Sequence, residues 1–258
     1  MIKKYLMVSM VVLLSVISFI GCETIPASEQ QEVAKYSANL SYTPASQAAP
    51  GSGGVTFAIA NFSCIPSNVP SELWMQELVW MKNVNNGKLL WFLFPQFDNL
   101  IKASKDDLSK ILMAKGFSIR GPFDSYDLIP YSDKKAIDLY LIPTLELSFA
   151  QNEEKWTEKV YSSGNVVVNG KITLELREIV TRELMWTKSI PLTEFEFPYR
   201  IRAPYKVNDK FNFIMNEAVK GIELQYPNLM STIFKLIDPE EMNVIKKQCQ
   251  ELKSKKGF

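Results

Sequence analysis

Histidine is absent from this sequence. Its absence excludes His-based nucleophilic triads, His metal sites and a histidine pH switch near neutrality. A charge excess of either sign is also missing. There are 29 basic and 28 acidic residues, and setting aside Lys3 and Lys4 at the N-terminus leaves 27 against 28. A nucleic-acid partner calls for a strong basic excess, so none is expected. There is no nucleophile elbow, no Gly-rich phosphate loop and no metal-ligand spacing. The nearest acidic pairs do not converge. Glu175 and Glu178 point to opposite faces if one strand runs through both. Asp106 and Asp107 are adjacent on a helix and read as solvated. Glu194 and Glu196 alternate with Phe195 and Phe197, the pattern of a half-buried strand. The sequence reads as a non-enzyme without a cofactor. Beyond Ile20, no apolar run reaches the roughly 20 residues that span a bilayer.

What is present begins at the N-terminus. Lys3 and Lys4 precede an apolar stretch, Leu6 to Ile20, interrupted only by serines. A basic start, a short apolar core and a small residue before a cut site describe a secretory signal, here residues 1–21. Phe19-Ile20-Gly21-Cys22 resembles the lipobox of bacterial lipoproteins, with Phe19 in place of the usual leucine. That resemblance implies that Cys22 carries the lipid, a diacylglyceryl group and N-terminal palmitate, and begins the mature protein. Two or more acyl chains hold stably, at about 0.8 kcal/mol per buried CH2. Glu23 follows, where an aspartate would mark inner-membrane retention in this class, so the resemblance favours the outer membrane. Which face of it the protein occupies stays open. With Cys22 lipidated, Cys64 and Cys249 remain. They either form a disulfide tying the first strand region to the C-terminal helix or stay as two buried thiols.

Residues 22–54 are rich in Ala, Ser, Gln, Pro and Gly and read as a flexible tether, with Asn39 to Tyr42 as a candidate edge strand. Residues 55–258 read as one α/β to α+β domain, with 67–94 as an insertion. Val55 to Phe62 predicts a central strand. Ser71 is placed to cap a helix from Glu72 to about Lys82. Pro95 to Lys115 predicts a helix with Phe97, Leu100, Ile101, Leu108, Ile111 and Leu112 on one face and Gly116 as its C-cap. Phe117 to Arg120 is a short strand, and Asp124 to Lys135 is helical, broken at Pro130. Ile137, Leu139, Leu141, Leu145, Leu147 and Phe149 alternate, as do Val166 to Leu176 and Phe195 to Ile201, which predicts an antiparallel section of three to four strands. Phe211 to Ile237 is helical, broken or kinked at Pro227. Asp238 caps a last helix that starts at Pro239. Its lysines read as a solvated face, with anionic lipid as the alternative contact. The expectation is a single mixed sheet with helices packed on it and helices at the C-terminus.

Several stretches resemble the neuraminyllactose-binding haemagglutinin family, also called flagellar sheath adhesin lipoproteins. They are Gly21-Cys22, Leu40-Ser41-Tyr42-Thr43-Pro44-Ala45-Ser46, Lys115 to Ile119, Tyr131 to Lys135 and Glu251 to Lys255. The family is named for binding sialylated glycans. The stretch proposed for that activity matches Glu153 to Lys159, so the resemblance carries Lys155, Thr157 and Lys159 over as candidate ligand-binding residues. The acidic Glu153, Glu154 and Glu158 depart from the family's basic character and would repel a sialic carboxylate. Trp156 offers a flat face for a sugar. The alternative for this stretch is a solvated hairpin loop. The strands from Gly170 to Arg177 and Thr181 to Trp186 also look like a hairpin of TolB N-terminal-domain-like and curli-secretion lipoproteins.

Trp74, Trp80, Trp91, Phe92 and Phe94 form the densest aromatic group, either a docking patch or core under the insertion. Two functions follow. One is a membrane-anchored, non-enzymatic adhesin of haemagglutinin-like type at the outer membrane that binds a host or envelope ligand, a glycan or an envelope protein. The other is a periplasm-facing scaffold that docks an envelope protein machine.

Overall fold

The computed structural model describes residues 36–67, 97–121, 123, 125–151, 155–157, 161–202 and 207–257. The strands are β1 (Thr56–Ile59), β2 (Ser63–Ser67), β3 (Ser118–Arg120), β4 (Leu139–Gln151), β5 (Lys155–Thr157), β6 (Tyr161–Glu178), β7 (Leu184–Pro191) and β8 (Phe195–Arg202). The helices are α1 (Asp98–Ala114), α2 (Tyr131–Ala136), α3 (Val207–Leu236) and α4 (Pro239–Lys256), with a 3-10 turn at Tyr126–Leu128. Among the described residues the eight strands join in one mixed sheet. The alternating sequences build its centre. β4 and β6 pair antiparallel without interruption from Leu139↔Glu178 to Gln151↔Val166.

Each edge of that ribbon carries a strand in two pieces. β1 and then β2 run parallel along β4, and the register slips by one residue between Ile59↔Leu141 and Ser63↔Thr144. β7 and then β8 run along β6, with a one-residue slip between Pro191↔Lys171 and Phe195↔Val168. Such slips let a long strand bend and twist. β3 pairs parallel with β1, so β1 is central as expected. β2 was not anticipated, because Pro66 and two serines give it no alternation. An edge position tolerates that proline.

Burial explains why the register holds. Leu141, Leu145, Leu147 and Phe149 of β4 and Val166, Val168, Ile172 and Leu174 of β6 are buried on one face. α1, α3 and α4 cover that face through Leu108, Ile111, Ile214, Val219, Met242 and Ile245, all in the same core cluster. Burying each such side chain contributes about 1.5–3 kcal/mol. A slip of one residue would turn them all to the other face. On that other face, one end is covered by the segment from Phe123 to Ile137, which packs Ile129 and Ile137 on Ala58, Tyr140 and Ile179.

The ends of the helices follow local rules. α1 closes at Gly116, whose φ is +84°, with Phe117 N–H donating to the Leu112 carbonyl at 3.1 Å. α4 starts at Asp238, whose carboxylate accepts from the Glu240 N–H at 3.1 Å. Pro227 does not break α3, which runs through it. Tyr226, Leu229 and Met230 are buried around it, and that packing outweighs the one lost backbone bond.

Two expectations are corrected at the N-terminal side. Asn39 to Tyr42 forms no strand. From Tyr36 onward the segment expected as tether lies against the helices as an arm. Tyr36 N–H donates to Asn216 at 2.9 Å, the Tyr36 hydroxyl bonds Glu223, and Ala48 N–H donates to the Ala114 carbonyl at 2.8 Å. Ala38 is buried, and Leu40 and Tyr42 pack on the core. These apolar side chains bind the arm, a feature that average composition hides.

Candidate functional site

The structure places the sequence-predicted residues in three groups. Lys155, Trp156 and Thr157 form β5, paired with Ser163, Ser162 and Tyr161 at the tip of the central ribbon. Lys159 lies outside the described residues, as do Cys22, Trp74, Trp80, Trp91, Phe92 and Phe94. Cys64 and Cys249 are both buried and free. The disulfide alternative is therefore corrected. Cys64 stands opposite Leu145 on β4. Cys249 lies one turn before Lys253, which pairs with Glu178 opposite Leu139. Six strand residues separate those levels, about 20 Å, whereas a disulfide needs Cα atoms within about 7 Å. Burial pushes the Cys64 thiol up, and burial with the nearby Glu178 pushes Cys249 up to about 12. Neither is a thiolate at neutral pH.

Two acidic residues proved more interesting than their spacing suggested. Asp107, expected to be solvated, is 1% exposed. Its Oδ2 accepts from the Tyr226 hydroxyl of α3 at 2.8 Å, and its Oδ1 accepts from Lys110 Nζ at 2.7 Å. Burial and the neighbouring Asp107 raise the Tyr226 phenol. Glu178 is 0% exposed. It accepts from the Val180 N–H at 2.9 Å and from Thr181 N–H, and it pairs with Lys253 at 3.1 Å. Burial alone would push its carboxyl up, but these donors outweigh it and hold the group below the usual range. Both groups are satisfied inside the fold, as buried carboxylates must be. Helical or strand periodicity carries no signal for either.

Among the described residues, two surfaces combine polar side chains with exposed area. The first is the sheet face that the helices leave free. Ser63, Thr144, Thr173 and Ser189 align across four strands, with Ser63 donating to Thr144 at 3.1 Å and Thr173 bonded to Ser189 at 3.1 Å. Lys171 and Glu146 pair beside them at 3.3 Å. The second is a notch of about 290 Å³ between the arm and α1, lined by Tyr42, Thr43, Pro44, Gln47, Lys110 and Met113 among others. Its lining brings together the Tyr42 ring and the Met113 thioether, the Thr43 and Ser46 hydroxyls, the Gln47 amide and the Lys110 ammonium. The buried Asp107 steadies that ammonium from behind. The notch is small, open to solvent and lined by both apolar and polar side chains. Among the described residues no group of acidic, cysteine or histidine side chains is placed to hold a metal ion.

No family model matches the sequence, and no curated protein matches it. Solved structures do resemble the fold. A neuraminyllactose-binding hemagglutinin homolog from Helicobacter pylori is similar at 15% identity, over 80% of this chain and 97% of its own, with a TM-score of 0.48. A lipoprotein from Neisseria meningitidis aligns at 8% identity over 65% and 97%, with a TM-score of 0.23. A PelC dodecamer structure from Paraburkholderia phytofirmans aligns at 10% identity over 70% and 94%, with a TM-score of 0.24. At these scores none of them transfers a function.

Proposed function

We propose that this chain is a bacterial lipoprotein anchored in the outer membrane, whose folded unit is a non-enzymatic binding module of adhesin type. The observation that carries this reading is the order Lys3-Lys4, the apolar Leu6 to Ile20, then Gly21-Cys22. A thioether-linked lipid at Cys22 holds the chain at a bilayer because each buried methylene adds to the anchor. The described part of the folded unit begins at Tyr36, whose backbone and hydroxyl are both bonded to α3. About 14 peptide steps separate it from Cys22, a reach of at most roughly 50 Å.

The notch between the arm and α1 is the ligand site this reading favours. The Tyr42 ring suits the apolar face of a sugar, and Lys110 suits an acidic substituent. The β5 tip, with Lys155, Trp156 and Thr157, is the second position for a glycan.

Labelled palmitate tests the anchor: the parent chain incorporates it and Cys22→Ala does not. Absence of label in the parent sinks the lipoprotein reading. A glycan array probed with the chain starting at Glu23 tests the module. Retention of glycans that falls in Tyr42→Ala supports the adhesin reading, and no retention on any glycan sinks it.

A further inference from the structure

The segment that covers the second, smaller core also builds a surface that no expectation assigned. Tyr126, inside it, is fixed by donating its hydroxyl to the Ile179 carbonyl at 2.5 Å and by an edge contact with Tyr140 at 5.6 Å. Two cations sit on its ring, the Arg182 guanidinium at 3.7 Å and Lys134 Nζ at 4.0 Å. A third, Lys135, sits 4.8 Å over the neighbouring Tyr131 ring. Arg182 is the one non-glycine residue with positive φ among the described residues, at +62°. The turn after β6 would accept glycine there at no steric cost. Arginine takes the strained position, and its side chain pairs with Asp127 at 2.8 Å while stacking on Tyr126.

Two large apolar side chains of the same segment are exposed. Leu128 is 65% exposed and Tyr131 is 60% exposed. An isolated exposed leucine means little. Here a leucine and a tyrosine three residues apart share a short segment with Lys134 and Lys135, and Arg182 stacks on that segment's Tyr126 ring. Among the described residues, the carboxylates nearest these cations are Asp127, Glu183 and Asp133. Asp127 is already paired with Arg182, Glu183 is paired with Lys256, and Asp133 is half-buried. An apolar tip ringed by cations on aromatic faces fits one environment well, the zone where acyl chains meet anionic headgroups. Leucine enters the hydrocarbon, tyrosine rests at the boundary, and Lys and Arg meet phosphate.

We propose that the tip formed by Leu128 and Tyr131, with Lys134, Lys135 and Arg182 around it, docks on a bilayer surface bearing anionic phospholipid headgroups. This contact is separate from the lipid on Cys22 and would turn a tethered unit into one held flat against its membrane. It does not depend on which ligand the notch binds.

Vesicle flotation tests it with the chain starting at Glu23, which lacks the signal and Cys22 but keeps every contact described within residues 36–257. The expected result is flotation with vesicles containing phosphatidylglycerol and none with phosphatidylcholine alone. Binding should weaken as salt rises. Lys134→Gln with Lys135→Gln should lower affinity about 25-fold, from a roughly fivefold loss for each cation. Leu128→Ser with Tyr131→Ser should abolish flotation. Both double variants alter exposed or half-exposed side chains, and circular dichroism should show the parent fold. Equal binding to both vesicle types, no binding to either, or no change in the two variants would overturn the proposal. Palmitate labelling of Cys22 reads the anchor separately, so either idea can fail without the other.

Discussion

Asp107 ties α1 to α3 through a buried hydrogen bond. It is 1% exposed and bonded to Tyr226 and Lys110. Tyr226→Phe removes one donor to a buried carboxylate, at a cost of about 1–3 kcal/mol. Asp107→Ala strands the buried phenol and opens a gap, and should cost about 3 kcal/mol or more. Urea denaturation of the two variants gives that order, and equal, near-zero losses would contradict it. Glu178 makes a different prediction. Its donors hold the folded-state carboxyl below the usual range, so the stability it adds is present above the unfolded value near about 4.3. That stability is lost as pH falls through the lower, folded value. Midpoints measured down an acid series should drop less steeply for Glu178→Gln than for the parent, and parallel curves would count against the reading. Neither residue was legible as important. Asp107 sits beside a solvated aspartate, and Glu178 ends a strand. Tyr226 for Asp107 and Lys253 for Glu178 are partners far away in sequence.

Helices and strands with long, regular periodicity were the legible elements. The α1 stripe, the β4 and β6 alternation, the proline-split segment at Pro130 and the Asp238 cap all sit where the sequence put them. Gly116 shows how sharp such a signal is. A Cβ there would lie 2.9 Å from the Gly53 nitrogen and against Ser52, at a φ of +84°. Gly116→Ala should therefore cost roughly 2 kcal/mol or more, from the left-handed backbone and the clash together. Thermal melting checks this, and an unchanged midpoint would refute it. Short pieces were less legible. β2 has five residues and a proline, and its pairing with β4 defines it more than its own composition. The continuity of α3 through Pro227 is likewise a result of packing.

At the scale of the molecule, the arm is part of the fold. A chain beginning at Val55 loses the packing of Ala38, Leu40 and Tyr42 and the bonds from Tyr36 to α3. It should be less stable than the chain from Glu23 by roughly 3–5 kcal/mol, from the buried apolar area. Equal stability would mean the arm only rests on the surface. Both free thiols should stay silent to a thiol reagent in native protein and react together in urea, because both are buried with raised pKa. Protease shaving of intact cells then tells which way the anchored unit faces. Cleavage without permeabilisation supports the adhesin reading, and protection turns attention to periplasmic partners.

Local chemistry determined what sequence alone could state: a signal-like N-terminus with its cysteine, one mixed sheet read from period-two alternation, helices read from apolar stripes, and caps read from glycine, aspartate and proline. Those features depend on neighbours within a few residues. Tertiary structure decided the rest. The arm's docking, the burial of Asp107 against Tyr226 and the stacking of Arg182 on Tyr126 each join residues more than 50 positions apart, and the separation of Cys64 from Cys249 is set by the same packing. Such contacts are set by which surfaces meet when the sheet twists and the helices close over it, and one strand's pattern cannot encode them.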